Sequence, residues 1–361
     1  MSRVAKIKNQ LKREFHKHSP YFGVFFFVVG FIFDLFTLGR IDDLFNILGQ
    51  FAYLIILLLL ILKDYIPEGL RPKILSFQED WHSEVIQFCL GALLSAYTIF
   101  YFKSSSFSTS VIFLFMMIAL LIINELKLIK MFDRYLRIVL FHLCLITFLF
   151  IIIPIFSGTL SSGDFALGIA ANFLIYLLII KVLKKLNADD QKVKQTFIYP
   201  GIAVISLFII CYLTNLLPPL PLALKHISIH HNIERENGNY KATTLSPSWM
   251  FWKNGDIPFL ANNGDRPYVF ISVFAPRNFD GKIFIHWQKY IEGRWKSSDR
   301  IPLIIKGGRE NGFRGFSFKN NWTEGEWRVL IESEDQREIG RVNFDMIHSN
   351  YNTSDLRTEF L

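Results

Sequence analysis

The chain has 361 residues, 51% hydrophobic and 16% aromatic, with 39 Lys+Arg against 31 Asp+Glu and a formal net charge of +8. That charge sits mostly in residues 1–217, which carry a net +6 against +2 for residues 218–361, so it is not a polyanion-binding face and nucleic acid is excluded as a partner. Cys89, Cys144 and Cys211 all fall inside apolar runs, which excludes a disulfide framework for the polar half.

Residues 1–20 place Val4, Ile7, Leu11 and Phe15 at three- and four-residue spacing, with Arg3, Lys6, Lys8, Lys12, Arg13 and Lys17 elsewhere around the turn. This pattern predicts a basic amphipathic arm on the cytoplasmic leaflet, where each basic side chain gains about 1 kcal/mol from anionic lipid. Seven apolar runs follow, at 21–38, 44–62, 84–102, 107–124, 136–156, 164–181 and 197–217. Each is near the ~20 residues a helix needs to cross the bilayer core, so 21–217 is read as a seven-span helical bundle.

Lys and Arg fix its orientation. The arm and the second, fourth and sixth loops hold 18 of them, whereas the first, third and fifth loops hold only Arg40 and Lys103. By the positive-inside rule the N-terminus is cytoplasmic, and an odd number of crossings delivers the chain after Leu217 to the outer side.

Small residues mark close helix contacts at Gly91, Ala92, Ser95 and Ala96 and at Ala166, Gly168, Ala170 and Ala171. Polar residues inside the spans are rarer. Asp34 lies about 6–8 Å below the outer end of the first helix, Asn46 and Gln50 enter the second from that side, and Asn172 lies about 12 Å into the sixth. Ionisable groups at membrane depth are costly and tend to be functional, so these four are read as an outward-facing polar pocket around Asp34.

Pro218-Pro219-Leu220-Pro221 cannot continue a helix, and beyond it the period becomes two. Tyr268–Phe274 is apolar on both faces, as a central strand is. Lys282–Gln288, Glu326–Ser333 and Ile339–Met346 alternate, the last two as a hairpin about Glu334–Glu338. With turn signals at Asn263-Gly264, Asp280-Gly281, Gly307-Gly308 and Glu324-Gly325, residues 218–347 are expected to form an immunoglobulin-like β-sandwich of about seven strands, with 348–361 as a tail.

Six of the seven tryptophans lie in this region. Alternation sends Trp287 and Trp327 inward, while Trp249, Trp252, Trp295 and Trp322 lie near turns and form the expected partner surface. His226, His230 and His231 lack a third ligand at diagnostic spacing, so neither a metal nor another cofactor is called for. No nucleophile elbow, phosphate loop or metalloprotease helix occurs, and no catalytic residue is assigned.

His286-Trp287, the run from Gly307 to Lys319 and Gly325-Glu326-Trp327-Arg328-Val329, followed by Ile339-Gly340-Arg341 and Phe344, resemble a bacterial membrane-protein family that carries the domain of unknown function 2914. The Pro-rich exit at 218–222 is similar to the same family, whose domain follows a multi-span region. The resemblance implies a bacterial inner-membrane protein with a periplasmic domain, and supplies no catalytic residues. The expected role is a periplasmic module that binds an envelope protein or a glycan. The competing reading is a membrane-embedded transporter or enzyme acting through the pocket around Asp34.

Overall fold

Six helices precede the strands in a computed structural model that describes residue 29 and residues 31–67, 79–125, 133–236, 238–246 and 253–361. They are α1 (Leu44–Lys63), α2 (Glu79–Ser104), α3 (Phe107–Glu125), α4 (Asp133–Ser157), α5 (Ser162–Lys185) and α6 (Asp190–Leu213), with residues 31–37 also helical. Among the described residues five segments are long and apolar enough to cross a membrane: α1, Val85–Ser104 of α2, Tyr135–Ser157 of α4, α5 and α6. The apolar part of α3, Thr109–Asn124, is shorter. Half of the first expected span and all of the basic arm lie outside the described residues.

The chain divides into two compact units. The first takes Met1–Phe100, Ile112–Leu149 and Gly168–Cys211. Within it α5 is two-faced: Gly168, Asn172, Tyr176, Ile179 and Leu183 are buried, while Phe173, Leu174, Leu177 and Leu178 are 48–58% exposed. Buried positions spaced by three and four residues form one helical stripe, and so large an exposed apolar stripe beside it suits hydrocarbon rather than water. Of the small residues singled out on α2, Ser95 and Ala96 are buried.

The second unit takes Tyr101–Val111, Phe150–Leu167 and Tyr212–Leu361. Its helical ends are built into the β region by specific bonds. Gly158 follows α4 at φ +74°, where a Cβ would lie 2.5 Å from the Asn278 carbonyl oxygen, and its own carbonyl accepts from Asp280 N at 2.8 Å. Ser161 and Asp164 close a capping box before α5, the carboxylate accepting Ser161 N at 2.9 Å and Ser161 Oγ accepting Asp164 N at 3.3 Å. Ser104 Oγ donates to the Leu222 carbonyl and Ser106 Oγ to Glu338.

Among the described residues eleven strands follow: β1 (Ala223–His230), β2 (Asn232–Glu236), β3 (Asn239–Thr244), β4 (Phe259–Ala261), β5 (Tyr268–Phe274), β6 (Asp280–Ile291), β7 (Arg294–Lys306), β8 (Phe313–Phe318), β9 (Gly325–Ser333), β10 (Glu338–His348) and β11 (Arg357–Phe360). They form sheets of order β1-β5-β8, β4-β10-β9-β6-β7 and β11-β3-β2. The first two share one core, in which Ile229, Val269, Ile271 and Val273 meet Ile283, Ile285, Trp287, Val329, Ile331 and Phe344. Phe270, on the other face of β5, packs with Ile233, Tyr240 and Ala242 of the third sheet. The run 268–274 is therefore apolar throughout because β5 is covered on both faces.

The β9–β10 hairpin forms as its alternation requires, pairing Val329 with Val342 and Trp327 with Phe344. Two elements depart from the expectation. Strand β7 pairs with β6 along its length, and β11, within the expected tail, pairs with β3. The result is three layers where two were expected.

Candidate binding face of the β domain

Because β6 is pleated, Ile283, Ile285 and Trp287 point into the core and Phe284, His286 and Gln288 point out. Register sets His286 beside Arg300 of β7 and Leu330 of β9, and Gln288 beside Ser297 and Arg328. The outward side chains bond to one another. His286 Nδ1 lies 2.9 Å from Glu332 Oε1 and its Nε2 lies 2.8 Å from Ser297 Oγ. Since a carboxylate only accepts, Nδ1–H donates to Glu332, while Nε2 and the Ser297 hydroxyl bond to each other.

Two guanidinium groups lie over rings on this face. Arg300 is 3.7 Å from the Phe284 centroid and donates to Glu332 at 3.2 Å; Arg328 is 4.3 Å from the Trp295 centroid and donates to Gln288 Oε1 at 2.6 Å. Tyr290, 40% exposed, stands 5.1 Å from Trp295 between centroids. Stacking and hydrogen bonding hold these planar groups in place, so a partner would meet them with little ordering cost.

The expected surface tryptophans fare differently. Trp295 is half-buried within this face. Trp322 is also half-buried, but its Nε1 donates to the Asp265 carbonyl at 2.9 Å and its ring leans on His348 at 4.8 Å. Trp249 and Trp252 lie outside the described residues. Trp287 and Trp327 are buried, as alternation requires. Sequence reasoning overlooked Tyr290, His286, Arg300 and Arg328; the alternation that turned Trp287 inward would have found the first two.

In the helical unit, Asp34 accepts from Ser95 Oγ at 2.6 Å and Asn46 Nδ2 donates to the Arg40 carbonyl at 3.1 Å. Gln50 is buried with Oε1 unbonded, and Asn172 is fully buried with both amide atoms unbonded. Among the described residues no hydrogen bond joins these four to one another.

The histidines after the exit form a row on β1. Ser228 Oγ lies 3.0 Å from His226 Nε2 and 2.8 Å from His230 Nε2, and His230 Nδ1 is 3.7 Å from Glu359 Oε1. Burial pushes His230 down to about 4, while the nearby Asp256 carboxylate opposes the fall. His231 turns the other way, with Nδ1 2.7 Å from Asp256 and Nε2 2.8 Å from the Leu260 carbonyl. Burial raises the Asp256 carboxyl, but hydrogen bonds from His231 and Thr244 outweigh it and hold the group below the ordinary carboxylate range. Among the described residues no set of three His, Cys, Asp or Glu side chains is placed to hold a metal.

A cavity of about 20 Å³ lies among Tyr101, Pro154, Asp164, Leu217 and Arg337 in the second unit. It has room for about one water. Arg337 is paired with Asp335 at 2.7 Å, and Asp335 also accepts from Tyr212 Oη at 3.0 Å, so the guanidinium is already neutralised there.

Residues 280–346 match the family model described as Protein of unknown function (DUF2914), which runs from the start of β6 almost to the end of β10 and includes the whole outward face. The resemblance read from the strand text thus holds in the C-terminal region. A comparison with curated proteins finds no match. Among solved structures, a β-glucosidase from Listeria innocua in complex with gluconolactone is 8% identical over 31% of this chain and 17% of that one, at a TM-score of 0.19. The same enzyme in complex with glucose is 9% identical over 32% and 16%, at 0.19. The chain covers only that small share of the enzyme, and the likeness is too slight to bear on fold or activity.

Proposed function

We propose that this chain, whose residues 280–346 match a domain family of unknown function, is a bacterial inner-membrane protein that presents its β region to the periplasm as a binding module. The supporting observation is the outward face of β6, β7 and β9, where Trp295, Tyr290 and Arg328 stand together beside Arg300 and His286. Trp, Tyr and Arg are the side chains that most often carry interface energy, and here they are fixed by one another before any partner arrives. The reading of the module as an immunoglobulin-like sandwich is supported by the two sheets that share the larger core, to which the third sheet is added. An envelope protein or a glycan is the partner class; no catalysis is assigned. The basic arm holds the N-terminus to anionic lipid on the cytoplasmic side.

A photo-crosslinking amino acid placed at Trp295 of the full chain in living cells tests the reading. It should give one discrete adduct that disappears when Arg328 is changed to Ala, whereas the same group at Lys241, on β3 of the third sheet, should give none. Equal adducts at both positions, or none at 295, would remove the face from consideration.

A further inference from the structure

Asn172, Tyr176 and His142 are among the side chains buried in the helical unit that keep hydrogen-bonding atoms met by no group of the described residues. Asn172 and His142 are fully buried and Tyr176 is 4% exposed; the unbonded atoms are Oδ1 and Nδ2 of Asn172, Oη of Tyr176 and Nδ1 of His142. Asn172 and Tyr176 stand one turn apart on the buried stripe of α5, where side chains at that spacing are neighbours. The His142 ring, from α4, lies 4.6 Å from the Tyr176 ring between centroids.

The local backbone fixes how His142 is used. Pro200 has no N–H to offer, and α6 widens just before it into a π turn over Lys194–Ile198. The Phe197 carbonyl oxygen lies 3.0 Å from His142 Nε2. A carbonyl only accepts, so Nε2 carries the proton and Nδ1 presents a lone pair. Gly201 lets α6 come this near, since a Cβ there would stand 2.7 Å from Tyr176 Cε2 and 3.1 Å from His142.

Leaving a buried polar atom unbonded costs about 1–3 kcal/mol, and such sets persist where an internal water or ligand bonds them. We infer that Asn172, Tyr176 and His142 form an internal site for a small neutral protic molecule, with water as its occupant. Donors and acceptors are both present, from the amide, the phenol and Nδ1, and the three side chains supply the two to four partners an internal water needs. None of the three brings a formal charge when His142 is the Nε2–H tautomer, so a neutral occupant fits and an ion does not. This site uses none of the residues of the β-domain face and stands or falls separately.

Hydroxyl-radical footprinting by X-ray radiolysis of the full chain in lipid nanodiscs tests it, because radicals made from a bound water modify the side chains that hold it. Tyr176 and His142 should be modified at least tenfold faster than Phe113 and Phe208, a buried aromatic pair 5.9 Å apart in the same unit. Asn172→Leu should slow Tyr176 modification several-fold and leave Phe113 unchanged. Rates at Tyr176 and His142 as low as at Phe113 overturn the site, as does Asn172→Leu that folds and leaves the Tyr176 rate untouched. If that variant does not fold, the wild-type comparison decides alone.

Discussion

His230 shows how a single buried side chain writes a pH dependence into the β region. It is 1% exposed, and burial, which disfavours its charged form, pushes it down from the ordinary 6.5 to about 4. A folded-state value below the unfolded one means the unfolded chain takes up the proton first as pH falls. Stability from this residue is therefore whole above about 6.5, declines between there and about 4, and is level below. That interval, at about 1.36 kcal/mol per pH unit, amounts to roughly 3 kcal/mol. Thermal melts followed by tryptophan fluorescence report on this region, which holds six of the seven tryptophans. The full chain should lose melting temperature from pH 7 to pH 5 by more than His230→Gln does; parallel curves would show that His230 is not the source. Asp256 works at lower pH, since its depressed carboxyl contributes stability that is lost as pH drops below the ordinary carboxylate range. Another residue-scale test is Gly201→Ala, which puts a Cβ 2.7 Å from Tyr176 and should cost about 1–3 kcal/mol by overpacking. An unchanged melting temperature for that variant would mean that α5 and α6 have room to separate.

At the scale of elements, what could be read in the sequence tracks how completely each element is buried. Strand β5 was legible because it is covered on both faces, and β10 because from Val342 onward one face is dry and the other wet; β9 was legible from the alternation of its residue types, although Leu330 and Glu332 on its outward side are buried too. Strand β7 was not. It is the edge of its sheet, most of its side chains are exposed or half-exposed, and the run Arg294–Lys306 therefore carries Ser, Asp, Arg and Pro where a central strand would carry Val or Ile. Its length comes from pairing with β6 beyond the Glu292-Gly293 turn, a long-range fact that local periodicity does not hold. Strand β11 is only four residues long, so it too lacked a pattern. The site was legible to the same degree: Trp295 was singled out by its place near a turn and alternation turns His286 outward, but Arg328 matters through its register with Gln288 of β6. Core position predicts mutational cost here. Trp287 is fully buried between the two larger sheets, and Trp287→Ala should destabilise the β region by about 3–5 kcal/mol, seen as a large drop in melting temperature. Arg328→Ala, on the outward side of the neighbouring strand, should shift it far less while abolishing crosslinking from position 295.

For the whole molecule, the membrane assignment rests on five helices long and apolar enough to cross and on their exposed leucine and phenylalanine faces. Orientation rests on charge: the second, fourth and sixth loops, together with the helix ends that flank them, carry Lys63, Arg71 and Lys73; Lys127, Lys130, Arg134 and Arg137; and Lys181, Lys184, Lys185, Lys192 and Lys194. These loops are short enough for the positive-inside rule to apply, and they put the β domain on the outer side if the crossings are odd in number. A phosphatase that folds only outside the cytoplasm reads this directly. Fused after Leu361 it should be active, and fused at Ala188, between α5 and α6, it should be silent. Activity at Ala188 with silence after Leu361 would contradict the account, because a β domain on the cytoplasmic side could meet no periplasmic partner.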